Sequence, residues 1–264
     1  MRTDLVSEPS TSQHPNEDFA SVALPASGQG GAVVLLDGVT PPRDATGCRH
    51  SVPWFTARLG GALTELTVSL PDVPLADALS RAIASTAEAH ASTCDLSHPR
   101  TPQATVVLVR WSPASVEYLV LSDSALLVEA PDGTVTALLD DRLARLPRAS
   151  LATDAAVDRD LRNKEGGFFT AAADPSVASR AVTGTLPRGD VRALAALTDG
   201  ATRWVEKFRE GDWADCLRVV RKEGAQALVD RVRQLERADD RSGGRVFLGR
   251  SKTHDDATVA YVEL

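Results

Sequence analysis

Four acidic clusters punctuate the sequence: Glu17-Asp18, Asp37-Gly38, Asp199-Gly200 and Asp255-Asp256. Each adjoins an apolar run of strand length or the start of one, so all four can lie at one edge of stacked sheets. Hard divalent cations such as Mg²⁺ and Mn²⁺ take oxygen ligands from carboxylates, carbonyls and water, and several chain segments must supply them because one strand cannot surround an ion. A glycine beside an aspartate lets a backbone carbonyl approach the metal. Carboxylates arranged in this way can hold two ions about 4 Å apart over a shared water, whose lowered pKa makes it a nucleophile toward phosphorus. A single Asp-Gly is also an ordinary turn pair. The placement of the whole set beside apolar strands is what points to a metal site.

The elements that must position these residues follow from hydropathy. The run Gly31-Ala32-Val33-Val34-Leu35-Leu36 ends at Asp37-Gly38 and is followed by Pro41-Pro42, which predicts a buried strand running into a turn. Residues 52–70 and 74–93 repeat apolar side chains every three or four positions, the stripe of two helices separated at Pro71. Strands are predicted at 104–111, 116–122, 125–130 and 134–138, the last two joined through Pro131-Asp132-Gly133 as a hairpin. A helix is predicted at 154–163, before Gly166-Gly167, and a strand at 191–197, ending in Thr198-Asp199-Gly200. One long helix is read over 212–237, with Trp213, Cys216, Val220, Ala227 and Val232 on one face, and a closing strand over 257–264. This order makes an α+β protein in which amphipathic helices cover sheet faces. Residues 1–15 carry no period and read as a loose N-terminal segment or an irregular first strand, with a single domain expected over 16–264.

At 264 residues, with 43% apolar and 25% charged side chains, the chain can bury one sizeable core. A net charge of −7 and no Lys/Arg block argue against nucleic acid as a partner, since that affinity comes from neutralised phosphates. The first thirty residues have neither a basic start nor an apolar run, and no later stretch reaches the roughly 18 apolar residues of a membrane span. A cytoplasmic protein with no membrane partner is expected; the oligomeric state is not legible. Cys48, Cys94 and Cys216 are odd in number and far apart, which predicts neither a disulfide framework nor a CxxC clip, only idle or buried thiols. His14, His50, His90 and His98 are expected on surfaces or in local hydrogen bonds.

Five motifs in order resemble those of the protein phosphatase 2C (PPM) family over nearly the whole chain. Asn16-Glu17-Asp18-Phe19 is similar to the family's opening triplet, and Val34-Leu35-Leu36-Asp37-Gly38 to its Asp-Gly after an apolar strand. Ser122-Asp123-Ser124 looks like its Gly-Asp-Ser, Thr198-Asp199-Gly200 like its Ser-Asp-Gly, and Asp255-Asp256-Ala257-Thr258-Val259 like its terminal Asp-Asn-hydrophobic-Thr. The resemblance, to a divergent member of bacterial type, implies a four-layer α-β-β-α sandwich of two antiparallel sheets flanked by helix pairs. It implies two Mn²⁺ or Mg²⁺ ions, bridged by Asp37 with the Gly38 carbonyl; Asp199 and Asp255 would ligate one ion, and Glu17 and Asp18 would hold the other through water. The implied reaction is hydrolysis of phosphoserine and phosphothreonine in protein substrates without a phosphoenzyme, with Asp37 and Asp199 at its centre.

The sequence departs from that pattern in several places. Family members carry an arginine phosphate clamp four residues before the motif Glu, where this chain has Gln13, a neutral amide in place of a charged fork. Arg43, Arg49 and Arg203 are candidates to replace it. Val39-Thr40-Pro41-Pro42 follows Asp37-Gly38, so a general acid from that turn is missing; His254, beside Asp255, is the candidate to protonate the leaving oxygen. Asp123 keeps a carboxylate for a weak third metal position, although Ser122 replaces the motif Gly. Two alternatives to a protein phosphatase stand beside it: a pseudophosphatase acting as a signalling binding module, and a phosphatase of a small metabolite. Gln13→Arg is expected to lower KM for a phosphorylated substrate in steady-state assays; an unchanged or higher KM would count against placing the clamp at residue 13.

Overall fold

Every residue from Gly31 to Leu36 is covered, as a strand packed on both faces requires, although the sheet around it is antiparallel. The computed structural model describes residues 1–41, 47–244, 246 and 252–264. Among these, ten strands form two five-stranded antiparallel sheets. The first has the spatial order β1 (Arg2–Glu8), β10 (Ala257–Glu263), β9 (Ala193–Leu197), β6 (Ala125–Glu129) and β7 (Val135–Leu139). The second runs β2 (Phe19–Ala23), β3 (Gly31–Leu36), β4 (Val106–Trp111), β5 (Ser115–Leu121) and β8 (Val182–Pro187).

The period-two alternation of strand side chains divides the core into three layers. Val33, Leu35, Val107, Val109 and Val120 meet Leu126, Leu194, Ala196, Ala260 and Val262 between the sheets. The opposite faces of β3, β4 and β5, with Val34, Leu36, Leu108 and Leu119, pack on α1 (Val52–Ser69) and α2 (Leu75–Glu88) through Phe55, Leu59, Leu63, Leu79 and Ile83. Leu127, Ala195, Leu197, Val259 and Tyr261 lie under α5 (Asp199–Glu206), α6 (Trp213–Glu223) and α7 (Ala225–Arg241), which contribute Trp204, Cys216, Val220, Leu228 and Val232. Each fully buried aliphatic or aromatic side chain contributes roughly 1.5–3 kcal/mol relative to exposure. The result is the four-layer α-β-β-α sandwich that the resemblance implied. Two short helices, α3 (Arg142–Arg145) and α4 (Asp154–Asp160), lie between β7 and β8. No helix among the described residues is long and apolar enough to cross a membrane.

Several sequence expectations need correction. Residues 1–15 are not simply loose: Arg2–Glu8 is an edge strand paired in register with β10, from Arg2 opposite Glu263 to Glu8 opposite Ala257. Its two apolar side chains, Leu5 and Val6, fall on opposite faces among polar ones, which hid it from hydropathy; Leu5 stays exposed while Val6 packs into the core under the helices. The helix read over 212–237 is two helices, because the chain turns at Gly224, where φ is +99°. β2 and β8 were not anticipated; β8 is an edge strand with largely exposed side chains and so lacks an apolar signature. Asp199-Gly200 opens α5 instead of forming a free turn.

Ser122, in the β5–β6 turn, has a left-handed φ of +71°. Its N–H donates to Asp140 Oδ2 at 2.8 Å, and Arg142 Nε in turn donates to Asp140 Oδ1 at 2.7 Å, so the surroundings hold the strained turn in place. A residue with a Cβ is disfavoured there by about 1 kcal/mol relative to glycine. Ser122→Gly is therefore expected to raise the melting temperature by about 2–4 °C in a thermal-shift measurement. A lower value would mean that the Ser122 hydroxyl's bond to Asp123, at 3.2 Å, outweighs the strain.

Candidate metal centre

Strand ends carry the acidic residues to one edge of the sandwich. Asp18 precedes β2, Asp37 follows β3, Asp123 lies between β5 and β6, Asp199 opens α5 directly after β9, and Asp255 precedes β10. Main-chain contacts draw these loops together, and the two Asp-Gly glycines make the approach possible. A Cβ on Gly38 would stand 2.4 Å from the Glu17 carbonyl oxygen, and one on Gly200 would stand 1.9 Å from that of Asp256. Both separations are far inside van der Waals contact. The glycines therefore let the Asp37 loop abut the Glu17-Asp18 loop and the start of α5 abut the Asp255-Asp256 loop. Asp256 fastens the N-terminal loop by accepting the N–H groups of Ser10 at 2.6 Å and Glu17 at 2.7 Å.

Hydroxyls and peptide groups orient the carboxylates. Asp18 Oδ2 accepts from Thr258 Oγ1 at 2.6 Å and Thr198 Oγ1 at 3.1 Å. Asp37 Oδ2 accepts the Asp199 N–H at 3.3 Å, and the Asp37 N–H donates to Thr105 Oγ1 at 3.3 Å. Desolvation raises the Asp37 pKa well above the usual carboxylate range, and the charges of Asp199, Asp18, Asp255 and Asp123 push it further. Burial likewise lifts Asp18 to about 8 against the lowering effect of its threonine hydroxyls. Asp199 rises to about 7, through burial and then the charges of Asp255 and Asp123. Glu17 is raised by burial despite the hydroxyl bond donated by Thr40, and Asp123 is raised by burial despite its bonds and the nearby Arg162 and Lys207.

Among the described residues, no basic side chain forms an ion pair with Asp18, Asp37, Asp123 or Asp199. Desolvated, mutually repelling carboxylates with no cationic partner fit a hard divalent cation in charge and donor chemistry. Asp255 differs. It receives Lys252 Nζ at 2.8 Å on Oδ1 and Arg203 Nη2 at 3.1 Å on Oδ2.

The candidate phosphate ligands and general acid are placed elsewhere than expected. Arg203 is 4% exposed and donates to Glu236 Oε1 at 2.7 Å as well as to Asp255 and the carbonyls of Lys252 and Thr253. It ties the segment before β10 to α7 and is not available to a substrate phosphate. His254 has Nδ1 3.1 Å from Glu236 Oε2 and Nε2 2.7 Å from Asp240 Oδ2, so both ring nitrogens face carboxylates of α7 and neither serves as a general acid. Arg49 lies just before α1, and its N–H bonds to Cys94 Sγ. Arg43 lies outside the described residues. Gln13 is exposed, in the loop that borders a recess lined by Glu17, Thr40 and Lys252.

A cleft of about 540 Å³ is lined by Thr40, Gln103, Arg100, Asp158, Arg162 and Lys252 among others; no carboxylate of the cluster lines it, but Thr40, bonded to Glu17, and Lys252, bonded to Asp255, stand between the two. Asp158 holds both arginines, Arg100 Nε at 2.6 Å and Arg162 Nε at 3.2 Å. Sequence reasoning missed Lys252, whose Nζ also donates to Thr40 Oγ1 at 2.6 Å. Its position three residues before Asp255 was the available signal.

A sandwich of two antiparallel sheets whose strand ends gather carboxylates beside a cleft has the phosphatase fold that the motif order implied. The sequence pattern of the family described as Protein phosphatase 2C matches residues 9–235, and the chain belongs to that family. The match takes in Asp18, Asp37, Asp123 and Asp199 and ends before Asp255. No curated protein sequence matches significantly. Similar solved structures include the serine/threonine phosphatase PstP/Ppp of Mycobacterium tuberculosis, 16% identical with a TM-score of 0.62 over 100% of this chain and 98% of that one. The serine/threonine phosphatase Stp1 of Staphylococcus aureus is 14% identical with a TM-score of 0.59, covering 99% of this chain and 94% of that one. The serine-threonine phosphatase 2C of Toxoplasma gondii is 13% identical with a TM-score of 0.62, again over 99% and 94%. At such identities the likeness concerns the fold.

The raised carboxylate pKa values set the pH dependence of the metal-depleted protein. Folded Asp18 and Asp199 hold protons up to about pH 8 and 7, whereas unfolded carboxylates release them near pH 4. Their contribution to stability is therefore present at low pH and lost as pH rises toward 8. In EDTA the melting temperature should fall between pH 5 and pH 8, and Mn²⁺ should raise it more at pH 8 than at pH 5. A melting temperature in EDTA that is flat or rising over that range would contradict the electrostatic account.

Proposed function

We propose that this protein is a metal-dependent phosphomonoesterase that hydrolyses phosphoserine and phosphothreonine in proteins. The observation that carries the reading is the convergence of Asp18, Asp37 and Asp199, desolvated and without ion pairs, at one edge of a protein phosphatase 2C fold. Asp37 would lie between two Mn²⁺ or Mg²⁺ ions, with the Gly38 carbonyl beside it. Asp199 and Asp255 would hold one ion, Glu17 and Asp18 the other, and Asp123 a weaker third position. When bound, such ions supply polarisation of a phosphoryl oxygen and a water acidic enough to attack near neutral pH.

The chain's own groups fix the geometry. Thr198 and Thr258 aim Asp18, and the Asp199 N–H fixes one oxygen of Asp37. Arg203 locks the loop that carries Asp255 to α7. With Gln13 in the clamp position, Lys252 at the cleft provides positive charge for the substrate phosphate, as a point charge in place of a guanidinium fork. We read the chain as one catalytic domain, acting in the cytoplasm. One observation favours the pseudophosphatase reading: both Asp255 oxygens already meet cations, which would weaken the ion that Asp255 shares.

Hydrolysis of p-nitrophenyl phosphate by the purified protein should require Mn²⁺ or Mg²⁺ and stop in EDTA. Asp37→Asn, which removes charge with little change of shape, should lower kcat/KM by at least about a hundredfold, a loss of several kcal/mol, with the circular dichroism spectrum unchanged. Full activity of that variant would refute the assignment of Asp37. No turnover by a folded wild-type protein would favour the pseudophosphatase.

A further inference from the structure

Cys48 and Cys94 are 46 residues apart in sequence, yet their sulfurs lie 3.0 Å from one another, and neither is in a disulfide. Two histidines join them. His90 Nδ1 is 3.3 Å from Cys48 Sγ, His50 Nδ1 is 3.4 Å from Cys94 Sγ, and His50 Nδ1 is 3.7 Å from Cys48 Sγ. All four donor atoms fall within 4.8 Å of each other. A tetrahedral ion with metal–sulfur bonds of about 2.3 Å and metal–nitrogen bonds of about 2.0–2.1 Å has donor-to-donor edges of roughly 3.3–3.8 Å. Three of the four sulfur–nitrogen separations fit those edges, and the sulfur–sulfur edge needs to open by less than about 1 Å.

The surroundings are those of a built site. Cys48 and His50 lie on the segment entering α1, and His90 and Cys94 on the segment leaving α2, so the ligands arrive as Cys-x-His and His-x-x-x-Cys from two elements. The Asp95 N–H donates to the Gly47 carbonyl at 2.7 Å, latching the two segments beside the cluster. Peptide N–H groups point at both sulfurs, Arg49 to Cys94 at 3.4 Å and His50 to Cys48 at 3.4 Å, as metal-bound thiolates commonly require. The Trp54 ring stacks on His50 with centroids 4.0 Å apart, and His90, 1% exposed, meets His50 edge to face at 5.6 Å. Both imidazoles are thereby held in orientation. Two sulfurs and two imidazoles select a borderline-soft ion over the oxygen-seeking Mg²⁺ or Mn²⁺ of the carboxylate cluster.

We propose that Cys48, His50, His90 and Cys94 form a closed, structural Zn²⁺ site that staples the start of α1 to the end of α2, separate from the phosphatase centre. The staple has a clear position relative to the cleft. Val39, Thr40 and Pro41, upstream of Cys48, line one part of the cleft wall, and residues 99–101 and 103, downstream of Cys94, line another.

The test is elemental analysis of the full-length protein purified under reducing conditions without added metal or a metal-affinity column. About one Zn²⁺ per chain is expected, resistant to brief EDTA treatment, and retained in Asp37→Asn. Cys48→Ser and Cys94→Ser should reduce zinc to background. The wild-type protein provides a second readout that needs no variant: exchange with Co²⁺ should give sulfur-to-cobalt charge transfer in the near ultraviolet and the intense visible bands of a tetrahedral ion. Wild-type protein without zinc, whether its thiols are free or joined as a Cys48–Cys94 disulfide, and without that cobalt spectrum would overturn the proposal. Zinc retained by both serine variants would overturn it as well. Because Asp37→Asn abolishes only the phosphatase centre, failure of one assignment leaves the other intact.

Discussion

Like charges placed together out of water must be compensated, and this structure is built around a place where that compensation is withheld. Asp18, Asp37, Asp123 and Asp199 come from both sheets to one edge, where each raises the proton affinity of another. Threonine hydroxyls and peptide N–H groups orient them without neutralising them. The cations close by, Arg203 and Lys252, are bound to Asp255 and leave the other four unpaired. Holding such a cluster requires a rigid frame. The close-packed strands of the sandwich provide it, with the aspartates placed just beyond the hydrogen-bonded ladders.

Much of this was legible in the sequence, and what was not has physical causes. The buried strands β3, β4 and β6 are short apolar runs bounded by turn residues, and the helices α1 and α2 carry an apolar stripe at helical spacing. The edge strands β1 and β8 bury few side chains, so their stability comes from the neighbour they pair with. Asp37, Asp199 and Asp255 stood out because they sit beside apolar strands, and Asp123 through the family resemblance, yet no pattern reveals that Arg203 would bond Glu236 or His254 would face α7. Those partners lie 33 and 18 residues away on the helix face. The Cys48–Cys94 pairing was invisible for the same reason. Spacing rules detect ligands that share a short loop, and here two helices of the hairpin intervene.

The two clusters differ in ligand hardness. Oxygen donors lie at the ends of strands, and sulfur and imidazole donors at the ends of the helices that cover the second sheet. Val39, Thr40 and Pro41, which follow Asp37-Gly38, line the cleft. The residues where this chain leaves the family motif, Val39-Thr40-Pro41-Pro42, thus lie in sequence between Asp37 and Cys48.

The pairing of β1 with β10 also bears on how the protein is made. Arg2 to Glu8 find their partner only in Ala257 to Glu263. At about 5–20 residues per second, a ribosome takes more than about ten seconds to deliver the second strand after the first. Throughout that interval the nascent chain carries an unpaired N-terminal strand, and the segment bearing Asp255 has not emerged. The carboxylate cluster is thus incomplete until the segment bearing Asp255 has emerged, and until then Arg2 to Glu8 lack the strand they pair with.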